Sequence, residues 1–314
     1  LLLASGAAFA AQTATDSNYE PLQTFAPFVY PQPATAYRSG SGKPGPLFWQ
    51  NRADYQIKAT LEPTTRKLTG EEVITYTNHS PDDLDVLWLQ VEQNRYRTDA
   101  RGAFGAGKFP TQFTDGEHIV SVAVEGAGGK LEKADWVIAD TRMQVRLPEA
   151  LKAHDGKLRL HISYDYTVPG EFGGRTDVNP TKNGEIFEIA QWYPRMCVYD
   201  DVRGWNTNPY LGASEFYLEY GEFDVSITAP ANHIVVASGE LLNPTAVYST
   251  VEQSRLAQAK QSDKTVFIRT AAEVENSSKI VSATTKTWNY KIKNARDFSW
   301  SSSAAFILDA AKIN

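Results

Sequence analysis

The chain has 314 residues, 31 Lys plus Arg against 37 Asp plus Glu for a formal charge of −6, and 42% hydrophobic and 22% charged residues. That length accommodates about two domains, or one large β domain with appendages, and the composition excludes a collagen, a coiled coil and a wholly disordered chain. The mild acidity, with no Lys/Arg block, argues against a nucleic-acid partner, whose binding rests on neutralising phosphates. The single cysteine, Cys197, excludes an intramolecular disulfide and a multi-cysteine metal site, and reads as a small buried hydrophobe.

Leu1-Leu2-Leu3-Ala4-Ser5-Gly6 runs into Ala8-Phe9-Ala10, a small-x-small pattern followed by polar Gln12-Thr13. Residues 1–10 therefore read as the remnant of a secretory signal, which predicts an exported protein, periplasmic or extracellular. Residues 11–47 carry Pro21, Pro27, Pro31, Pro33, Pro44 and Pro46 and are expected to form an extended leader. No other segment approaches the ~18 uninterrupted apolar residues of a membrane helix, so no membrane span is expected. Ordered structure is expected from about Phe48-Trp49-Gln50.

From there the pattern has a period of two. Tyr55, Ile57, Ala59 and Leu61 alternate with polar neighbours, and Val73 to Thr77 continues after Leu68-Thr69-Gly70, which reads as a turn. Further strands are predicted at 84–91, 118–124, 135–139, 142–147, 157–168, 185–191, 215–228, 233–237, 264–270 and 285–292. In 157–168, Leu158, Leu160, Ile162, Tyr164 and Tyr166 fall on one face. The polar 92–100 segment reads as a helical turn. Ser249-Thr250-Val251-Glu252 is a capping box opening one short helix. The fold class expected is mainly β, stacked antiparallel sheets in a β-sandwich.

Catalytic motifs are near misses. Gly102 to Lys108 satisfies G-x-x-x-x-G-K, but Phe109 stands where a phosphate loop needs Ser or Thr; Gly40 to Gly45 matches G-x-G-x-x-G inside the Pro-rich leader, with no strand before it. No G-x-S-x-G elbow occurs. None of His79, His118, His154, His161 and His233 is followed by Glu, so H-E-x-x-H is absent and the histidines read as structural. Asp200, Asp201, Glu215, Glu219, Glu222 and Asp224 supply carboxylates whose separation sequence does not show. The densest stretch is Gln191-Trp192-Tyr193-Pro194-Arg195-Met196-Cys197-Val198-Tyr199-Asp200-Asp201, then Trp205-Asn206. Its aromatics suit either a stacking platform or the core between sheets.

Three segments, read in order, resemble the N-terminal portion of the gluzincin zinc aminopeptidases, the family of membrane alanyl aminopeptidase and leukotriene hydrolase. They are Tyr55-x-Ile57-x-x-x-Leu61 with Leu68-Thr69-Gly70-Glu71 and Ile74 to Ser80; Ile189-Ala190-Gln191 through Tyr193-Pro194 and Tyr199-Asp200-Asp201 to Phe223 through Pro230 and Val236-Ala237-Ser238-Gly239; and Arg296-Asp297-Phe298-Ser299-Trp300. Pro194-Arg195 stands where the family has Pro-Cys, and Asp200-Asp201-Val202 where it has Asp-Glu-Pro, which points to a divergent bacterial branch. The resemblance implies a saddle-shaped β domain over 48–296 and the start of a truncated catalytic domain at 297–314. It also implies a role for Gln191, which matches the Gln of a Thr-Gln pair that reaches the substrate's N-terminal end.

By that resemblance the chain is the non-catalytic substrate-capping domain of an exported zinc metallopeptidase. Its partners are its own catalytic domain and a peptide substrate. Zinc sits in that catalytic domain and no cofactor in this chain, which alone is expected to be inactive. The competing reading is a stand-alone exported β-sandwich module that binds carbohydrate or peptide on Trp192, Tyr193, Trp205, Tyr199 and Tyr210; a glycosidase built on the acidic cluster is a third.

Overall fold

The computed structural model describes residues 34–104, 112–170, 174–212, 217–277 and 282–313. The signal remnant, most of the leader, the end of the Gly102–Lys108 loop and Glu215 lie outside the described residues. The chain divides into two units, Leu1–Phe48 and Trp49–Asn314. In the first, Arg38 bridges Pro44 and the Gly42 N–H donates to the Ser39 carbonyl at 2.9 Å. The Gly40–Gly45 glycines serve this turn, with no helix behind them to face a phosphate.

The second unit is mainly β, with several sheets packed as a β-sandwich and no closed barrel. Its 8-stranded sheet runs Glu240–Leu241, Thr285–Ala295, Gly221–Pro230, Arg52–Glu62, Lys67–Asn78, Gly156–Thr167, His118–Glu125, Leu131–Lys133. One 4-stranded sheet runs Ile234–Ala237, Trp300–Ser303, Gly184–Ile189, Asp177–Thr181, and the other Arg195–Met196, Leu84–Gln90, Arg142–Leu151, Asp135–Ala139. Neighbours are antiparallel, as expected, apart from one pair, Arg52–Glu62 and Gly221–Pro230, which run parallel. No hairpin joins these two strands, which leaves that direction open to them. Residues 297–314 are part of the same unit, with Trp300–Ser303 an inner strand between two neighbours.

Alternation places the core as the sequence predicts. Arg52–Glu62 buries Ala53, Tyr55, Ile57, Ala59 and Leu61, and Gly156–Thr167 buries Leu160, Ile162, Tyr164 and Tyr166 on the same face. Three expectations change. Leu68-Thr69-Gly70 is not a turn but lies inside Lys67–Asn78; the chain reverses at Pro63 to Arg66, where the Arg66 N–H bonds the Pro63 carbonyl at 3.2 Å. Gly70 serves packing instead, because the Tyr164 ring covers it so closely that a Cβ there would lie 2.2 Å from Cζ. The strand expected at 215–228 begins at Gly221. Among the described residues the single short helix becomes three, Pro244–Val247, Thr250–Ala259 and Ala271–Ser277. Ser249 and Glu252 make the full capping box, and Thr270 with Glu273 makes a second one.

The same alternation carries Glu72 onto the core face, opposite Ile57 and Ile162. Among the described residues, neither of its carboxyl oxygens, nor either of Glu117's, nor the hydroxyls of Tyr164 and Tyr166, has a hydrogen-bond partner. Burial, then the charge of Glu117, pushes Glu72 well above the usual carboxylate range, and burial, then Glu92, does the same to Glu117. The fold therefore favours both as neutral acids. Stability from a raised carboxyl is fully present below the unfolded value and is lost as pH rises through the folded one.

Glu72→Gln is accordingly expected to leave the urea midpoint unchanged at about pH 4 and to raise stability by about 1–3 kcal/mol at about pH 8. Gly70→Ala is expected to cost about 1–3 kcal/mol by overpacking against Tyr164, read from the same titration.

Candidate functional site

Gln191 lies where Gly184–Ile189 leaves its sheet toward Arg195–Met196. Its backbone is left-handed, φ 53°, a conformation costly for a residue other than glycine. Its side chain is 3% exposed and its Nε2 has no acceptor among the described residues. The backbone is held from both sides. Gln93, in the 3-10 turn Glu92–Tyr96, donates from Nε2 to the Gln191 carbonyl at 2.7 Å and to Thr176 Oγ1 at 3.3 Å. Thr176 Oγ1 bonds the Ala190 carbonyl and takes the Ala190 N–H at 3.3 Å.

The residues after Gln191 anchor it. Trp192 and Tyr193 are 0% and 1% exposed, with Trp192 Nε1 donating to the Phe298 carbonyl at 2.9 Å. Trp192 packs edge-on against Trp300 at 5.9 Å, and Tyr193 against Tyr55 at 5.3 Å. Arg195, 0% exposed, pairs with the Glu92 carboxylate and donates from Nη1 to Asp297 Oδ2 at 2.6 Å, while the Tyr193 hydroxyl donates to Asp297 Oδ1 at 2.9 Å. Burial opposes the Arg195 charge, but Glu92 and then Asp297 outweigh it and hold the guanidinium above its ordinary value.

Beside Ala190 opens a cleft of about 460 Å³, lined among others by Arg175, Glu188, Ser238, Ser299 and Ser301. Asp177, paired across the ladder with Glu188, is pushed up to about 6 by burial and then by the Glu188 charge. The cleft presents serine hydroxyls, the Arg175 guanidinium and the Glu188 carboxyl, and the Gln191 backbone continues from Ala190 at its wall. Burial pushes the Cys197 thiol well up, away from thiolate chemistry.

Other sequence candidates separate. Of the aromatic platform, Trp192, Tyr193 and Tyr210 are core residues, so the five-ring platform is corrected; Tyr199 and Trp205 alone stay half-exposed. Large rings between sheets bury more area than they would expose to a ligand. Glu222 pairs with Arg52 at 3.7 Å and Asp224 lies on the outer face of its strand, whereas buried Glu219 comes within electrostatic reach of Asp200, so the acidic run splits rather than gathering as one cluster among the described residues. His79, His118 and His161 each meet a carboxylate and His233 Nδ1 meets Ser302 Oγ at 2.9 Å. Among the described residues no three His, Cys, Asp or Glu side chains group as metal ligands, and no helix is long and apolar enough to cross a membrane. Sequence reasoning missed Gln93, Thr176 and the Arg195 partners.

No protein-family model and no curated protein matches the chain. Among solved structures it is similar to an M1 zinc metallopeptidase from Deinococcus radiodurans, at 12% identity and TM-score 0.44, covering 81% of this chain and 42% of that one. A mutant of that enzyme bound to a Tyr-Ser-Ala substrate matches at 13% identity and TM-score 0.43, with 81% and 42% covered. A two-domain M1 zinc metallopeptidase mutant bound to L-tryptophan matches at 12% identity and TM-score 0.43, with 81% and 43% covered. The chain thus spans less than half the length of these structures.

Arg195→Ala would leave the carboxylates of Glu92 and Asp297 without their cation. A loss of about 3–5 kcal/mol is expected in urea unfolding, with Arg195→Lys recovering part of it.

Proposed function

We propose that this chain is the non-catalytic N-terminal portion of an exported zinc aminopeptidase, where it forms one wall of a peptide-binding cleft. Gln191 carries the reading. It combines a strained backbone with a buried amide nitrogen that finds no acceptor among the described residues, and both costs persist only where surrounding structure imposes them. A peptide supplies what the amide lacks, a carbonyl oxygen for Nε2 to donate to. The order of the three segments that resemble the gluzincin aminopeptidases supports the same reading and assigns Gln191 to the substrate's N-terminal end.

In this reading the zinc chemistry belongs to a further catalytic domain; among the described residues no three His, Cys, Asp or Glu side chains group as metal ligands. The work of this chain is to bind and orient peptide and to exclude water. Gln93 and Thr176 fix the Gln191 backbone, so the amide meets the peptide with little ordering cost left to meet.

Two measurements test this. The reading frame downstream of the Asn314 codon is expected to continue into G-x-M-E-N and H-E-x-x-H; a frame without zinc ligands overturns the parent-enzyme reading. In calorimetric titration with trialanine, Gln191→Ala is expected to weaken binding roughly tenfold, the worth of one hydrogen bond. Gln191→Gly is expected to lose the same binding while gaining about 1 kcal/mol of stability from relief of the left-handed backbone. Trialanine affinity unchanged in both variants would remove Gln191 from the site.

A further inference from the structure

A second polar and aromatic group lies outside the Gln191 site. Tyr199–Asp200 and Gly204–Trp205 pair as a two-stranded hairpin. The Tyr199 ring stacks on Trp49 at 5.8 Å and meets Trp205 edge-on at 5.2 Å; Trp205 in turn lies 6.2 Å from buried Tyr76. Trp49, Tyr199 and Trp205 are each half-buried, so part of every ring reaches solvent.

Three carboxyl groups border these rings. Asp82 accepts from the Tyr199 hydroxyl at 2.8 Å. Asp200 accepts from the Val202 and Arg203 N–H groups at 3.0 and 2.8 Å and from Asn206 Nδ2 at 3.0 Å. Glu219, 7% exposed, accepts from the Tyr199 backbone N–H, and its buried Oε1 has no hydrogen-bond partner among the described residues. Among the described residues no basic side chain forms an ion pair with any of the three. Arg296 is the cation whose charge reaches Glu219, but its guanidinium lies 4.5 Å over the Tyr220 ring.

We propose that this hairpin, with Trp49 and Glu219, binds an organic ammonium cation. Aromatic faces are electron-rich and attract cations within about 6 Å of the ring centre, and the bordering carboxyls supply charge that a neutral ligand would leave uncompensated. A saccharide would stack on the same rings and donate hydroxyls to the carboxyls, but would bring no charge to offset theirs.

The geometry brings a proton linkage with it. Burial, and after it the charge of Asp200, raises Glu219 to about 8, while the Tyr199 N–H and Arg296 pull the other way. Glu219 also faces the Tyr76 ring, whose hydroxyl is itself raised by burial and by Glu219. A bound cation favours the ionised carboxylate, so binding releases a proton and affinity rises as pH passes through that value.

The test is a ligand-observed NMR titration of the chain with tetramethylammonium chloride, beside its neutral isostere tert-butanol and the neutral sugar methyl glucoside. Tetramethylammonium is expected to saturate, with affinity rising roughly tenfold or more between about pH 6 and about pH 9. Glu219→Gln, with its fold checked by urea midpoint, is expected to flatten that profile, and Tyr199→Leu to weaken binding about fivefold or more. Equal binding of tert-butanol, a flat profile in the unaltered chain, or methyl glucoside saturating in place of the cation would each overturn the proposal.

Discussion

The buried guanidinium of Arg195 is the constraint on which the rest of this structure depends. It joins Glu92 of the Glu92–Tyr96 turn to Asp297, and its own strand adds to the sheet built on Leu84–Gln90. Taking a guanidinium and a carboxylate out of water is expensive, and the cost is recovered only where geometry is close and further hydrogen bonds satisfy the remaining groups. Here Asp297 takes Arg195 on one oxygen and the Tyr193 hydroxyl and Phe298 N–H on the other. The arrangement fixes both ends of the segment that carries Gln191: Gln93, the neighbour of Glu92, holds it from the front, and Trp192 and Tyr193, bonded to the 297–298 backbone and side chain, hold it from behind.

The same interior treats its other acids differently. Burial raises Glu92 while the adjoining Arg195 pulls it back down, whereas Glu72 and Glu117 have no cation in bonding reach among the described residues and are raised well above the usual carboxylate range. Glu117 stands between the two regimes. The Glu92 charge raises it and Arg195 lowers it, while its backbone N–H donates to Asn94 Oδ1 at 2.8 Å, one turn from Glu92. The titration of Glu117 and the ion pair of Arg195 are therefore coupled through the turn whose Gln93 also holds the Gln191 backbone.

Much of this fold is legible in the sequence because a strand with one buried face writes itself as alternation. Tyr55, Ile57, Ala59 and Leu61 could occupy no other pattern, and the capping box at Ser249 needed only local chemistry. What failed was non-local. Gly70 carries a turn signal, but the Tyr164 ring that requires a glycine there comes from a strand far along the chain. Trp192 and Trp205 look alike in sequence, yet one is core and one reaches solvent, because their neighbours differ only after folding. Arg195 finds its carboxylates 103 and 102 residues away, beyond any motif. Thr270-x-x-Glu273 is the exception, a second capping box present in the sequence and passed over.

Gln191 was singled out by resemblance alone, and the structure gives it an independent physical character. A glycine would adopt φ 53° freely, and a glutamine held there costs on the order of 1–2 kcal/mol. Leaving its buried amide donor unsatisfied adds a desolvation cost of similar size. A segment whose only task was to connect two sheets would shed both by placing Gly at this position. Neighbouring bonds from Gln93, Thr176 and Trp192 instead enforce the conformation, as strained residues require if they are to persist. Two costs at one residue, enforced by three neighbours and next in sequence to Ala190 of the cleft wall, are what set this position apart from a plain connecting segment.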